Sequence, residues 1–571
     1  MMRVVVVLVM AVAMVAVVSG ELLKNTDMEM TYNWDCNGFQ CALTSDKHGG
    51  SHGLLVTNRK NTYDGPSQWI SVVRGHSYSA SGYIKLTQDL GSGQDLQLEV
   101  DYQFSDGSHQ NVAVASRSNM RTSNNWVQLS GNFDVPDRPL GRVRIYFQGP
   151  QPGCNFVVDD ASVTERSGGG GSNLGTNHTQ QTSNSNIDKL RKSDINIRVT
   201  TSGTVNKNDV KIRVVQKNKA FPFGTAVNAG RYNDQHLGGY RDFVHNHFNW
   251  AVPENALKWP SIEPNRGQKN YQPALDMIHG LKNHGLKVRG HNLVWSVDQW
   301  VQGWVKQLSG NELRTVVQQH IQETMGKTKG LLEHWDVNNE NLHGTFFQTR
   351  LGDNDYNLEL FRIAHKADPS VKLFLNDYNV VAASWSTNDY LKQAQEFKHA
   401  NVGLYGVGCQ GHFGVDEDPN PDAIRQRLDT IAQAGLPIWI TELDVQAQDE
   451  NKRADFYERA LTAMYSHPAV EGILIWGFWD QEHWRGAKAA LVDGNNFHVN
   501  AAGRRVIDLL ENRWMTDETH TLSSSGDHFT VRGFHGDYEL HVIYQGHDLG
   551  NLKKTFSLGK SAHTETVNIH V

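Results

Sequence analysis

Pro437-Ile438-Trp439-Ile440-Thr441-Glu442-Leu443-Asp444 is a short apolar run that ends in two carboxylates. Its length and its β-branched and aromatic residues read as a buried strand with Glu442 and Asp444 at the C-terminal tip. An ionised carboxylate at the mouth of a hydrophobic strand is costly unless it has a partner or a task. A second strand candidate, residues 333–337, runs in the same way into Asn339 and Glu340.

Outward from these two runs, the C-terminal half alternates strands with amphipathic helices. Strands are expected at 221–227, 248–252, 288–294, 334–337, 372–375, 406–410, 438–441 and 473–478, with helical periodicity at 273–284, 312–328, 422–434 and 453–465. Buried strands each followed by a helix, over roughly 300 residues, describe an α/β fold of the (β/α)8 barrel type. The barrel is expected to span 218–514.

Polar side chains gather just after these strands. Glu254, Asn255 and Lys258 follow the second, His291 and Trp295 close the third, and Asn339 and Glu340 close the fourth. Gln410 and His412 follow the sixth, Glu442 and Asp444 the seventh, and Trp476 and Trp484 the eighth and its loop. Barrels of this kind build their sites at the C-terminal ends of the strands, so all of these point to one mouth. Two carboxylates three strands apart on such a rim suit glycosidic cleavage, which needs one carboxyl on the departing oxygen and another on the opposite side of the anomeric carbon. Trp335 and Trp439 lie within strands and read as core.

Composition narrows the alternatives. A chain of 571 residues holds roughly two to four domains. A net charge of -7 without a basic block argues against nucleic acid and anionic membranes as partners. Arg3 followed by the apolar run 4–18 and the small Ser19 and Gly20 reads as a secretory signal over residues 1–20, too short for a membrane span. A secreted, extracellular, monomeric protein is expected. Cys36, Cys41 and Cys154 allow one disulfide with one thiol left over, in a pairing the sequence leaves open, and Cys409 reads as a small buried hydrophobe. No CxxC pair or HExxH motif is present, so neither a metal nor a cofactor is expected.

Residues 167–186 are Gly, Ser, Asn, Thr and Gln with almost no apolar residue, so 166–187 is expected to form a flexible tether. Asn177-His178-Thr179 within it is a glycosylation sequon. Before the tether, residues 21–165 show short alternating runs separated by turn residues, the pattern of a β-sandwich or jelly roll. The runs Val56-Thr57-Asn58-Arg59-Lys60-Asn61-Thr62-Tyr63-Asp64-Gly65-Pro66, Asn125-Trp126-Val127-Gln128-Leu129-Ser130-Gly131 and Val157-Val158-Asp159-Asp160 resemble carbohydrate-binding modules of families 4 and 22. That resemblance implies a β-1,4-linked polysaccharide ligand and a cleft lined by Arg59 and Tyr63, with Trp34 beside them.

The barrel half carries a more specific resemblance. Pro253-Glu254-Asn255-Ala256-Leu257-Lys258-Trp259, Arg289-Gly290-His291-Asn292-Leu293-Val294-Trp295, Trp335-Asp336-Val337-Asn338-Asn339-Glu340, Gly408-Cys409-Gln410-Gly411-His412 and Trp439-Ile440-Thr441-Glu442-Leu443-Asp444 resemble glycoside hydrolase family 10, in order. The resemblance implies a retaining endo-β-1,4-xylanase with Glu442 as nucleophile and Glu340 as acid/base. It further implies Asn339 on the sugar 2-hydroxyl and His412 holding Glu442 while Asp444 orients the histidine. Glu254, Asn255, Lys258, His291 and Gln410 would grip hydroxyls, and Trp295, Trp476 and Trp484 would form stacking walls. The implied substrate is xylan, with cellulose or another β-1,4-glucan as the runner-up and a barrel that only binds sugar as the remaining alternative.

Two departures from the family pattern stand close to these motifs. Asn338 and Asn341 replace Val and Ala around the Asn-Glu pair, and Ser296, Val297 and Asp298 follow Trp295 where a histidine is usual. They leave the choice between xylose and glucose backbones open, because a single hydroxymethyl group is discriminated only modestly. Finally, alternating runs at 195–199 and 210–214 before the barrel and at 529–531, 538–544 and 564–571 after it are expected to pack as one small β unit, from segments 188–217 and 515–571.

Overall fold

The computed structural model describes residues 21–74, 76–90, 93–105, 107–136, 140–165, 174–523, 528–560 and 564–571, with 174–182 as backbone. The apolar run at 1–20 and the consecutive glycines Gly168 to Gly171 lie outside them. The chain divides into two compact units, Met1–Asn177 and His178–Val571.

The second unit contains a closed parallel barrel. Its strands are β1 (Phe223–Val227), β2 (Trp250–Pro253), β3 (Lys287–Gly290), β4 (His334–Asn339), β5 (Lys372–Asp377), β6 (Leu404–Phe413), β7 (Ile438–Val445) and β8 (Val470–Ile475). Each pairs with the next in parallel, β8 returns to β1, and the two-residue strand Val294–Trp295 adds a second pairing to β4 beyond β3. Helices follow each strand, including Gln272–Asn283, Gly310–Thr328, Tyr356–Ala367, Pro421–Ala432 and Glu450–Tyr465. The strands are apolar on both faces because one face meets helices and the other fills the barrel. Ile438, Ile440, Leu443 and Val445 of β7 join the strand–helix core, whereas Trp439 belongs to a separate cluster with Trp250, Phe374 and Leu474. Gly472 of β8 accommodates the Trp439 ring, since a Cβ there would sit 2.4 Å from it.

Two irregularities in this ring decide which side chains reach the mouth. Across β6 and β7, Cys409 pairs with Ile440 but Gln410 pairs with Glu442, so Thr441 is an extra residue on β7. Across β4 and β5, Asp336 pairs with Phe374 and Asn339 with Asn376, three residues against two. An inserted residue reverses the in–out alternation beyond it. Glu442 and Asn339 therefore face inward, although strict alternation from Trp439 and Asp336 would turn both toward the helices.

The flanking strands pack together. Lys192–Thr200 pairs with His528–Phe534 and Glu565–His570, and Val210–Lys219 pairs with Asp517–Thr521 and Gly536–Tyr544. Ile195, Ile197, Val210, Ile212, Val531, Leu540 and Val542 form their common core. The segment expected to be a flexible tether is helical in its second part, where Leu174–Arg191 forms one helix that includes the sequon asparagine Asn177. Composition argued against packing, but the end of the segment is anchored. Ile187 is buried in the barrel core, and the buried Arg191 donates to the carbonyls of Tyr465, His467 and Val470. Tertiary anchoring of this kind stabilises a helix that its own propensity would not.

The first unit is a β-sandwich. One sheet holds Gln40–Thr44, Gly53–Thr57, Phe156–Glu165, Ser77–Leu86 and Val127–Asp134; the other holds Ser67–Ile70, Leu140–Gln148, Gln94–Phe104 and His109–Met120. Leu54, Val56, Ile84, Val100, Val114, Leu129, Phe147 and Phe156 fill the space between them. Cys36 and Cys41 form the disulfide, and Cys154 and Cys409 are buried thiols.

Candidate active site

Glu442 is 5% exposed and is held from two sides. Asn376 at the end of β5 donates through Nδ2 to Glu442 Oε1 at 2.8 Å and to Asn339 Oδ1 at 2.9 Å. The inserted Thr441 locks Asn376 in that orientation by donating Oγ1–H to its Oδ1 at 2.6 Å. On the other side, His412 Nε2 lies 3.2 Å from Glu442 Oε2, and its Nδ1 lies 2.9 Å from Asp444 Oδ2. Asp444 is fully buried and also accepts from Trp484 Nε1 at 2.7 Å and Arg485 at 2.8 Å.

The electrostatic outcome differs sharply between the two glutamates. Burial raises the Glu442 carboxyl, but His412 and the charge of His291 outweigh it and hold the group below its ordinary value. Burial likewise opposes charge on His412, yet Asp444 and Glu442 carry its imidazole up to about 10. Glu340 is bonded instead to neutral groups. It accepts from Gln410 Nε2 at 3.1 Å and Trp295 Nε1 at 2.8 Å, and burial, reinforced by the charges of Glu442 and Asp377, pushes its carboxyl up to about 7. One rim thus carries a carboxylate held ionised and a second carboxyl that keeps its proton below about pH 7.

The other expected residues surround this pair. Lys258 Nζ bonds Asn255 Oδ1 at 2.8 Å and lies 4.9 Å from the Trp295 ring. Burial lowers its ammonium, against the pull of Glu442, Glu254 and Glu340. Glu254 is raised by burial, with Lys258 opposing. His291 is oriented from below by Asp336, whose Oδ2 lies 2.9 Å from Nδ1, while Arg289 pairs with Asp336 in the barrel interior. Trp484 is 57% exposed and offers an open ring face, whereas Trp476 is only 6% exposed and packs against the His291 edge at 5.1 Å. Trp476 therefore belongs to the floor.

Several contributors escaped the sequence reading. Asn376 and Asp377 close β5, and the rule that flagged the polar ends of the other strands would have found them. Tyr378 follows them, its hydroxyl pushed up to about 12 by burial and by the charges of Glu340 and Asp377. Trp300 is 48% exposed and stacks on Trp295 at 4.9 Å, extending that aromatic surface. The departures near the motifs point elsewhere: Ser296 donates to Asn338 Oδ1 at 2.7 Å, and Asn338 donates to Asn357 at 2.8 Å on the helix behind β4. Asn338 and Ser296 replace the usual residues as a buried bonded pair. Asn341 is buried as well, and nothing in the structure explains its amide.

In the sandwich, two of the three residues expected in a sugar cleft are structural. Arg59 is 7% exposed and its guanidinium donates to the carbonyls of Asn61, Thr62, Asp64, Pro150, Gln151 and Cys154. Trp34 is 5% exposed, donates to Asn25 O at 3.1 Å and packs on Phe147 at 6.1 Å. Both carry a polar tip that reads as a binding group in sequence and is satisfied internally in the fold. Tyr63 alone is open, at 61% exposure. The outer face of the Gln94–Phe104 sheet has the chemistry the cleft was expected to have. Trp69 is 41% exposed between the guanidinia of Arg142 and Arg144, at 5.4 and 5.6 Å from its ring. Beyond it, Tyr146 donates to Glu99 at 2.6 Å, Gln148 bonds both Gln97 and Glu99, and Arg144 reaches Asp101 at 3.3 Å.

Residues 211–508 match the family described as Glycosyl hydrolase family 10, and residues 20–153 match the Carbohydrate binding domain family. Endo-1,4-beta-xylanase 3 of Arabidopsis thaliana is 32% identical over 525 residues, covering 90% of this chain and 66% of that protein. Endo-1,4-beta-xylanase 5-like of the same plant is 29% identical over 546 residues, covering 91% and 90%. The solved xylanase 10B of Thermotoga petrophila RKU-1 in complex with xylobiose is 27% identical, covering 51% of this chain and 94% of that one at a TM-score of 0.48. The chain spans 66%, 52% and 48% of the first three curated relatives it matches, about half to two thirds of their length. The family match covers more than half of the 571 residues and brackets every barrel residue described above, and the chain belongs to glycosyl hydrolase family 10.

Proposed function

We propose that this protein is a secreted, retaining endo-β-1,4-xylanase carried to its polysaccharide by the N-terminal module. The observation that carries the reading is the unlike surroundings of the two rim carboxyls: Glu442 is bonded to His412 and Asn376, which favour its charged form, whereas the buried Glu340 is bonded to Gln410 and Trp295 and is raised to about 7. In the first step Glu442 attacks the anomeric carbon while Glu340 gives its proton to the departing oxygen, leaving a glycosyl ester on Glu442. In the second, Glu340 takes a proton from water, which displaces Glu442 and restores both groups. His412, with Asp444 and Arg485 behind it, keeps Glu442 from acquiring a proton between turnovers. Asn339, fixed by Asn376, is placed to bond the 2-hydroxyl of the reacting sugar. Lys258, Asn255 and His291 supply hydroxyl contacts, and Trp295, Trp300 and Trp484 supply ring faces.

The names of the curated relatives support xylan as the backbone. The leader-like run at 1–20 supports secretion. Reducing-sugar release from xylan and from carboxymethylcellulose, measured side by side, tests the substrate; faster release from the glucan overturns the xylan assignment. Glu442→Gln is expected to abolish hydrolysis while polysaccharide binding persists, and substantial residual turnover would falsify the role of Glu442. Proton NMR of the earliest products is expected to show the β-anomer first.

A further inference from the structure

The segment that carries Glu340 is a tight turn with unusual support. Glu340 has a φ of +55°, and its carbonyl accepts from the amides of His343 at 3.1 Å and Gly344 at 2.8 Å. A non-glycine residue in the left-handed region is held there only when its surroundings fix it. On one side the turn abuts Ser296 and Val297, so closely that a Cβ on Gly344 would sit 2.5 Å from their backbone. On the other side stands Asp377, fully buried at the end of β5. Asp377 accepts from Leu342 N at 2.8 Å and Tyr378 N at 2.9 Å, and its Oδ1 lies 2.6 Å from His343 Nδ1. His343 Nε2 in turn meets Ser386 Oγ at 3.0 Å, and its ring lies flat on Tyr378 at 3.9 Å and 18°.

We infer that Asp377 and His343 are positioning residues that fix the Glu340 turn and the Tyr378 ring as one unit on the leaving-group side of the site. The inference rests on the reading of Glu340 as the proton donor. The carboxylate ties two separate elements, the turn after β4 and the end of β5, through both of its oxygens. Proton delivery requires Glu340 to sit within hydrogen-bond reach of the departing oxygen, and a displacement of about 1 Å is enough to cost on the order of 100-fold. Among the described residues no hydrogen bond or ion pair joins Asp377, His343 or Tyr378 to Glu442, so the unit's contribution falls on the proton transfers of Glu340 rather than on the nucleophile. Tyr378, half-buried with one face covered by His343, gives the departing sugar a surface held in register with the acid.

The test is a leaving-group series on the full chain. Wild type, Glu340→Gln, His343→Leu, His343→Asn and Asp377→Asn are assayed on aryl β-xylobiosides from dinitrophenyl to phenyl, and on xylohexaose. For His343→Leu and Asp377→Asn the expected result is a loss of roughly 10- to 100-fold in kcat/KM on phenyl xylobioside and xylohexaose, with a loss of less than about 3-fold in kcat/KM on the dinitrophenyl glycoside, whose first step needs no proton donor. His343→Asn, whose amide keeps a donor toward Asp377, is expected to recover most of the lost rate. Equal losses across the series, or none, would overturn the inference. If Glu340→Gln is itself indifferent to the leaving group, the acid/base reading fails and the inference falls with it; if Glu340→Gln discriminates and the His343 and Asp377 variants do not, only the inference fails.

Discussion

Asn376 donates to Glu442 at 2.8 Å through the same amide nitrogen that bonds Asn339, so one side chain sets the positions of both an anionic oxygen and the residue beside Glu340. Its own carbonyl is fixed by Thr441, which exists at that position only because β7 carries an extra residue. The candidate site is therefore cross-braced from β4 through β5 to β7.

Removing the brace is expected to cost both catalysis and stability. Asn376→Ala leaves Thr441, Asn339 and Glu442 each short of a buried partner, an effect of about 1–3 kcal/mol, or roughly 5- to 150-fold in kcat/KM. Asn376→Asp is expected to be worse, because it sets a second carboxylate against Glu442. Steady-state kinetics on xylan with thermal unfolding of the same samples checks both; wild-type kcat/KM in Asn376→Ala would show that His412 alone suffices.

The pH profile follows from the two carboxyls. The proposed mechanism needs Glu442 ionised and Glu340 protonated, so kcat/KM is expected to fall as pH rises through about 7 and to fall again only in acid, below the usual carboxylate range. Gln410 donates to Glu340 and so favours its charged form. Gln410→Met is therefore expected to shift the alkaline limb upward, so that the variant keeps a larger share of its own maximum at pH 8. A limb that stays put or moves down would count against Glu340 as the group that titrates.

The module offers a separable pair of substitutions. Trp69→Ala is expected to abolish retardation of the protein on xylan affinity gels without changing its unfolding transitions. Arg59→Met leaves the carbonyls now capped by the guanidinium without donors, and is expected to lower the module's unfolding transition by about 3 kcal/mol or more. Loss of gel binding in a fully folded Arg59→Met, with Trp69→Ala binding normally, would return the site to the turn around Tyr63.

Much of the site was legible because its residues follow strand ends in a fixed order, and the barrel rule converts that order into a shared mouth. Glu340, Glu442, His412, Asp444, Gln410 and Lys258 all come together as that rule expects. Asn376 and Asp377 obey it as well and were overlooked. Arg59 and Trp34 were misread for a different reason. A sequence shows which side chains could bind a sugar, but the direction in which a turn points them depends on contacts with residues far along the chain, such as Pro150 and Cys154 around Arg59. The tether was misread because composition describes what a segment can bury by itself, and Ile187 and Arg191 are buried by the barrel.

The amino-acid sequence alone determined the alternation of strand and helix, the closed barrel that follows from it and the chemical identity of the groups at its rim, because periodicity and order along the chain are local properties. Only the tertiary structure decided that Glu442 and Asn339 turn into the barrel rather than toward the helices. That outcome depends on one unpaired residue in β7 and one in β4, and an unpaired residue is defined by the register of the neighbouring strand, which no single segment encodes.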